Sequence, residues 1–143
     1  MFRIQHIDHI VLRVTNMPRM VDFYCGVLGC AVARRREDLG MVHLRAGGSM
    51  IDLVDVAGKL GSAGGAAPGA EGRNLDHLCL RVEPFDEASI REHLQKHDVT
   101  VEPAKQRFGA EGEGPSVYLT DPEGNVVELK GPPAAPSPTR EPA

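Results

Sequence analysis

Apolar and polar residues alternate near the start of the chain and predict a strand over residues 5–14, which end in IDHIVLRV. In the segment that follows, apolar residues recur at helical spacing, at Met17, Val21, Tyr24 and Leu28. Asn16 fits the N-cap of this helix, Pro18 fits its first turn, and Gly29 fits its end. The pattern therefore predicts a strand followed by a helix.

The rest of the chain repeats this order with more strands. In the first half, strands are predicted at 30–36, 40–46 and 49–56, the last two joined by the hairpin turn Gly47-Gly48. In the second half, the pattern predicts a strand at 74–82, a helix near 86–97, and strands at 99–105, 115–120 and 125–130. A Gly- and Ala-rich stretch at 57–73 is predicted to be a flexible connector, and the Pro-rich end at 132–143 a disordered tail.

An internal repeat relates the two halves. IDHIVLRV at 7–14 and LDHLCLRV at 75–82 are identical at five of eight positions. A second pair of segments, SMIDLVD and NVVELKG, places a carboxylate directly before a leucine, at Asp52 and at Glu128. Because each copy of a repeat needs a neighbour to bury its apolar face, we expect one α+β domain over 1–131. It consists of two paired βαβββ modules, at 5–56 and 74–131.

Composition narrows the function classes. The 143 residues suit one domain with its own core, and a net charge of −4 without a long basic run argues against nucleic-acid binding. No apolar run is long enough to span a membrane, and the N-terminus lacks the apolar core of a signal peptide. Three cysteines form neither a disulfide framework nor a CxxC motif, so we expect a cytoplasmic protein.

Four polar residues of the repeat are candidates for a metal site. Strand alternation places His9 and His77 on the less apolar face of their strands. Asp52 and Glu128 likewise point away from the apolar residues beside them. Imidazole and carboxylate ligands suit one divalent ion such as Zn, Ni, Mn, Co or Fe(II). Asp52 is one methylene shorter than Glu, and either ligates the ion or reaches a water bound to it.

The motifs of both halves resemble one known family. IDHIVLRV, FYCGVLG at 23–29, LDHLCLRV and SVYLTDPEGNVVEL at 116–129 are similar to the vicinal oxygen chelate superfamily. That superfamily contains glyoxalase I, methylmalonyl-CoA epimerase, extradiol dioxygenases, fosfomycin-resistance thiol transferases and bleomycin-binding proteins. The resemblance covers 5–131 and implies a cup-shaped mixed sheet of paired βαβββ modules, a divalent metal in the cup, and a homodimer. The ligands that the resemblance implies match His9, His77, Glu128 and Asp52. At the position of Asp52, members of the family usually carry Glu or Gln.

The resemblance implies that the metal binds two vicinal oxygens of the substrate and stabilises an enediolate-type anion. We favour a glyoxalase I-like lyase or isomerase in which Glu128 and Asp52 act as bases on opposite sides of the substrate. One alternative is an Fe(II) extradiol-type dioxygenase with His9, His77 and Glu128 as ligands and Tyr118 beside them. The others are an antibiotic-resistance thiol transferase and a non-catalytic bleomycin-type drug-binding protein.

Further residues are candidates for substrate binding. Arg13 and Arg81 occupy matching repeat positions on the face of the histidines, where they could bind a carboxylate of the substrate or form salt bridges at the rim. Arg107 and Phe108 belong to the predicted loop at 106–115, which is either a mobile lid or a long hairpin connection. Tyr118 is a strand aromatic that either fills the cup or contacts the substrate.

Overall fold

The computed structural model describes residues 1–134, so the predicted tail lies, from residue 135 on, outside the described residues. The chain forms two compact units. Unit 1 comprises Met1–Asn74 together with the turn Pro122–Gly124. Unit 2 comprises Leu75–Asp121 and the residues that follow from Asn125. Within the described range, no helix is both long enough and apolar enough to cross a membrane.

Unit 1 is a four-stranded mixed sheet with one helix. Its strands are β1 (His9–Val14), β2 (Ala31–Arg36), β3 (Met41–Ala46) and β4 (Ser49–Asp55). Helix α1 (Met17–Asp22) follows β1 and continues as a π-helical turn over Phe23–Val27. The spatial order is β1-β4-β3-β2, with β1 parallel to β4 and the other pairs antiparallel.

Unit 2 repeats this topology. Its strands are β5 (Leu78–Arg81), β6 (Lys105–Gly109), β7 (Gly112–Thr120) and β8 (Val126–Lys130), and helix α2 (Glu87–Lys96) follows β5. The order is β5-β8-β7-β6, again with a parallel first pair and antiparallel neighbours. The predicted fold class, α+β with two βαβββ modules, is therefore confirmed.

The helix starts follow from their capping residues. The Asn16 side chain accepts a hydrogen bond from the backbone N–H of Arg19, as the sequence predicts. In unit 2, Asp86 accepts one from the backbone N–H of Ser89. Gly29 has a φ of 79°, a left-handed conformation that ends the first helical segment after its π-helical turn.

Both histidine-bearing strands are shorter than predicted. β1 begins at His9 rather than residue 5, and β5 covers only Leu78–Arg81 rather than 74–82. β1 pairs with β4, which begins at Ser49 directly after the Gly47-Gly48 turn, so the residues before Asp8 have no strand beside them. A parallel strand cannot extend past the end of its partner, whatever the alternation of its own residues.

The predicted strand at 99–105 and loop at 106–115 are wrong. Residues 101–104 lie outside any strand and are held by α2 instead: Arg91 donates to the Val101 carbonyl, and Glu87 accepts from the Ala104 N–H. Pro103 within this segment has no N–H to offer a sheet. The sheet resumes at Lys105, and most of the predicted loop forms the ladder between β6 and β7.

The core of each unit lies on one face of its sheet. In unit 1, Leu12, Leu44 and Leu53 are fully buried, as are Met20 of α1 and Tyr24 of the π-helical turn. In unit 2, the buried side chains that correspond to them are Val117, Leu119, Val127, Leu129 and Leu94 of α2. Because strand side chains alternate, the residues between these positions lie on the opposite face, which carries the polar groups.

Candidate functional site

In unit 1, the polar sheet face carries two histidines and an aspartate. Asp52 on β4 is paired directly with Val11 on β1 and with His43 on β3. Paired residues project to the same side of a sheet, and His9 is two residues before Val11 on the same strand. His9, His43 and Asp52 therefore share one face, as the alternation predicts for His9 and Asp52.

Unit 2 carries the same arrangement with different residues. Glu128 on β8 is paired with Cys79 on β5 and with Tyr118 on β7. His77 precedes Cys79 by two residues and belongs to this face as well. The strand register therefore makes Tyr118 the counterpart of His43, and Glu128 the counterpart of Asp52.

Each repeat histidine is bound by the aspartate before it. His9 Nδ1 lies 2.7 Å from an oxygen of Asp8, and His77 Nδ1 lies 2.6 Å from an oxygen of Asp76. An ionised carboxylate can only accept, so Nδ1 donates its proton to the aspartate, and in the neutral tautomer that this contact favours Nε2 keeps the lone pair. The hydrogen bond from His9 lowers the pKa of Asp8, and in return Asp8 raises the pKa of His9.

Sequence reasoning overlooked Asp8 and Asp76. The signal was present, because the dipeptide Asp-His occurs in both copies of the repeat. A carboxylate that holds Nδ1 is the usual orienting partner of a metal-binding histidine, since it fixes the tautomer and the direction of Nε2.

The structure brings His77 and Glu128 together. His77 Nε2 lies 3.3 Å from a carboxylate oxygen of Glu128, which is only 5% exposed. The ring of His77 stands edge-on to the ring of Tyr118, with 5.9 Å between the ring centroids. Burial, and then the charge of Glu128, raise the pKa of the Cys79 thiol to about 11, so this thiol is neutral near pH 7.

The structure also brings His43 and Asp52 together. His43 Nδ1 lies 2.9 Å from Oδ1 of Asp52, a residue that is 4% exposed. The angle of this contact departs from hydrogen-bond geometry, so Asp52 Oδ1 is buried without a hydrogen-bond partner among the described residues. Sequence reasoning overlooked His43, although a two-residue Gly47-Gly48 turn pairs 46 with 49 and hence 43 with 52.

The two repeat arginines are occupied within their own units. The Arg13 guanidinium donates to three connector carbonyls, those of Gly61, Gly65 and Ala66. Arg81 donates to the carboxylates of Glu83 and Glu111 and to the carbonyl of Val82. A role for either arginine in substrate binding stays a prediction, and their observed contacts are structural.

Of the remaining predicted contact residues, Phe108 borders a cavity in unit 2. Its volume is about 670 Å³, and both His77 and Glu128 line it. Phe108 on β6 also lines this cavity and is 75% exposed. The Arg107 guanidinium lies 6.0 Å from the ring centroid of Tyr118, within reach of a cation–π contact.

In residues 1–134, no three or more His, Cys, Asp or Glu side chains stand close enough together to hold a metal ion. Among the described residues, the contacts between imidazole and carboxylate are those of His9 with Asp8, of His77 with Asp76 and Glu128, and of His43 with Asp52. That His9, His77, Glu128 and Asp52 share one ion stays a prediction.

Duplicated βαβββ units with a histidine and a carboxylate on equivalent strands define a class of protein. The chain belongs to the Glyoxalase/Bleomycin resistance protein/Dioxygenase superfamily, whose model matches residues 6–129. Members of this superfamily typically use a divalent metal, and they include enzymes such as lactoylglutathione lyase.

Among curated proteins, the chain is similar to virulence protein STM3117 of Salmonella typhimurium. The two are 30% identical over 128 residues, which cover 88% of this chain and 83% of that protein. The crystal structure of STM3117 matches with a TM-score of 0.76 at 25% identity, covering 92% of this chain and all of that one.

Two further relatives match over a smaller share of their own length or at lower identity. Glyoxalase domain-containing protein RDO1 of Mycosarcoma maydis is 30% identical over 127 residues, covering 88% of this chain and 68% of that protein. Lactoylglutathione lyase of Agrobacterium tumefaciens matches in structure with a TM-score of 0.62 at 22% identity, covering 88% of this chain and 92% of that one. This last likeness shows a shared fold.

Proposed function

We propose that the chain is a divalent-metal-dependent lyase or isomerase of the glyoxalase type, acting on a small molecule that it binds through two neighbouring oxygens. The observation that carries the proposal is the state of His77. Its Nδ1 is taken by Asp76, and its Nε2 faces the buried carboxylate of Glu128 at 3.3 Å. Such an imidazole, oriented by one carboxylate and adjacent to another, is suited to hold a cation.

The donor set fits a divalent ion of borderline hardness, Zn, Ni, Mn, Co or Fe(II). In our proposal, the ion is bound by His77 and Glu128 and recruits His9, and Asp52 completes the set directly or through water. The proposal holds whether the two units come from one chain or from two copies. When bound, the ion would supply Lewis-acid stabilisation of negative charge on the vicinal oxygens.

The protein's own carboxylates would move the proton. Glu128 would accept a proton from the carbon next to the substrate carbonyl at one of its carboxylate oxygens, and Asp52 would serve as its counterpart in unit 1. An isomerisation needs a base to remove the proton and an acid to return it. A carboxyl group at equivalent positions of the two repeats, Asp52 and Glu128, is suited to that task.

Elemental analysis of the purified chain, followed by a substrate screen, tests the proposal. We expect about one divalent ion per site and a metal-dependent rise in melting temperature. We also expect turnover of methylglyoxal hemithioacetal. His77→Ala and Glu128→Gln should lose the ion, whereas His93→Ala on the exposed face of α2 should keep it. Metal content that is unchanged in His77→Ala would contradict the proposal.

A second candidate is an Fe(II) ring-cleaving dioxygenase. It is supported by the position of Tyr118, paired with Glu128 across β7 and β8 and edge-on to His77. Oxygen-dependent turnover of a catechol by the Fe(II)-loaded protein, reduced in Tyr118→Phe, would favour this function over the lyase.

Other outcomes of the screen select the remaining functions. Fosfomycin consumed together with a thiol indicates a thiol transferase, and bleomycin bound by a metal-free protein indicates a drug-binding role. We also propose a homodimer in a reducing, cytoplasmic compartment. All three cysteines are free, which supports that compartment. Light scattering coupled to size-exclusion chromatography tests the dimer.

A further inference from the structure

We infer that in the metal-free chain the cavity of unit 2 takes an uncharged or singly charged small molecule with an apolar or aromatic part, and discriminates against ligands with two or more negative charges. The inference rests on the proposed function in treating this cavity as the place where substrate binds. It is carried by the charges on the cavity wall and by what each of them already contacts.

The wall carries more negative than positive charge. Arg81 and Lys130 are its cations, and Glu83, Glu111 and Glu128 are its anions. Without counting His77, the formal sum is 2 − 3 = −1. In the metal-free chain this sum opposes an anionic ligand, and it opposes a dianion more strongly than a monoanion.

The guanidinium of Arg81 already donates from each of its three nitrogens to groups of its own unit. Its Nε donates to Glu111 at 2.5 Å, its Nη2 donates to Glu83 at 3.1 Å, and its Nη1 donates to the Val82 carbonyl at 2.7 Å. Arginine recognises carboxylate and phosphate groups through paired donors on one edge of the guanidinium. To bind an anionic ligand in this way, Arg81 would have to give up one or both of its glutamates.

The ammonium of Lys130 is occupied as well. The residue is 6% exposed, and its Nζ donates to the carbonyls of Arg107 and Gly114. These two residues are paired across β6 and β7, so Lys130 fastens the hairpin to β8. The Lys130 ammonium already donates to two carbonyls. It is therefore a poor partner for a polyanion, because moving it to the ligand would leave those carbonyls without their hydrogen bonds.

The apolar contribution comes from Phe108. Its ring is 75% exposed on the strand that borders the cavity, where nothing in its own unit buries it. Cys79 also lines the cavity and adds a second weakly polar surface. An exposed ring beside a cavity is suited to contact the apolar part of a ligand.

Isothermal titration of the full-length, metal-free chain with two ring-bearing probes tests the inference. The probes are catechol, which is uncharged at pH 7, and phenylphosphonate, which approaches a dianion at that pH. We expect catechol to bind at least about tenfold more tightly. Equal affinity for both probes, tighter binding of phenylphosphonate, or no binding of catechol would each overturn the inference.

Two variants separate the contribution of the wall charges to ligand affinity from that of the Phe108 ring. Glu111→Gln removes a negative charge and loosens Arg81, so phenylphosphonate affinity should rise by about tenfold, whereas Glu92→Gln on α2 should change nothing. Phe108→Ser alters only an exposed side chain and should weaken catechol binding several-fold. If Glu111→Gln leaves phenylphosphonate binding unchanged while its melting curve shows a folded protein, the charge argument is wrong.

These measurements do not depend on the metal or on turnover. A chain that binds no metal but shows the expected preference for catechol would disprove the proposed function and leave this inference standing. A metal-dependent lyase that binds phenylphosphonate and catechol equally tightly would support the proposed function and disprove this inference.

Discussion

Nδ1 of His43 lies 2.9 Å from Oδ1 of Asp52, on the sheet face of unit 1 that also carries His9. The equivalent pair in unit 2 is Tyr118 and Glu128. The two repeats therefore conserve the position of a carboxylate and differ in the group paired with it, an imidazole in one and a phenol in the other. The two halves of the candidate site are alike in geometry and unlike in chemistry.

We predict that His43→Ala destabilises the protein by about 1–3 kcal/mol, because it removes the imidazole in electrostatic contact with the buried carboxylate of Asp52. Urea unfolding followed by circular dichroism measures the change. The double variant His43→Ala with Asp52→Ala should recover part of the loss, since it removes the stranded carboxylate too. A single variant as stable as the wild type would show that the contact contributes nothing.

We predict that Asp76→Ala weakens metal binding by about 10–100-fold without unfolding the chain, because the Nδ1 partner that orients His77 is lost. Competition with a chelating dye measures the affinity. Asp98→Ala is the matched control, an exposed aspartate just after α2. If the Asp76 and Asp98 variants bind metal equally well, Asp76 does not orient a ligand.

We predict that the Cys79 thiol reacts slowly with iodoacetamide at pH 8 and faster as the pH approaches its pKa of about 11. Only the thiolate reacts, and the charge of Glu128 disfavours it, so Glu128→Gln should lower this pKa and speed the reaction at pH 8. Mass spectrometry of the Cys79 peptide follows the reaction, with Cys25 as the internal reference. If the reaction rate of Cys79 is the same with and without the Glu128 substitution, the charge of Glu128 does not affect the thiol.

We predict that Asp86 stabilises helix α2 in a pH-dependent way. Hydrogen bonds from Ser89 lower the pKa of the Asp86 carboxyl below its ordinary value. A lowered folded-state pKa means that the stabilisation is present at neutral pH and is lost as the pH falls below about 4 toward the folded pKa. Asp86→Ala should therefore lower the melting temperature at pH 7, and in acid its melting temperature should approach that of the wild type. Asp86→Asn should keep the cap at both pH values.

The alternation within each strand was sufficient to assign the faces. It predicts that Leu12 and Leu53 enter the core while His9 and Asp52 lie opposite, and the structure agrees. The same reasoning failed at 99–105, where Val99 and Val101 resemble a strand. Hydrogen bonds from Arg91 and to Glu87 hold this segment against α2 instead. The alternation of residues within the segment cannot predict these contacts with the helix.

By itself, the sequence determined the duplication, the βαβββ order of each unit and the family of the chain, because periodicity and capping are local and the repeat is visible in the letters. Only the tertiary structure decided that Arg81 is held by Glu111 and that Lys130 fastens the β6–β7 hairpin. These are contacts between residues distant along the chain, and their geometry depends on how strands and turns are placed in space.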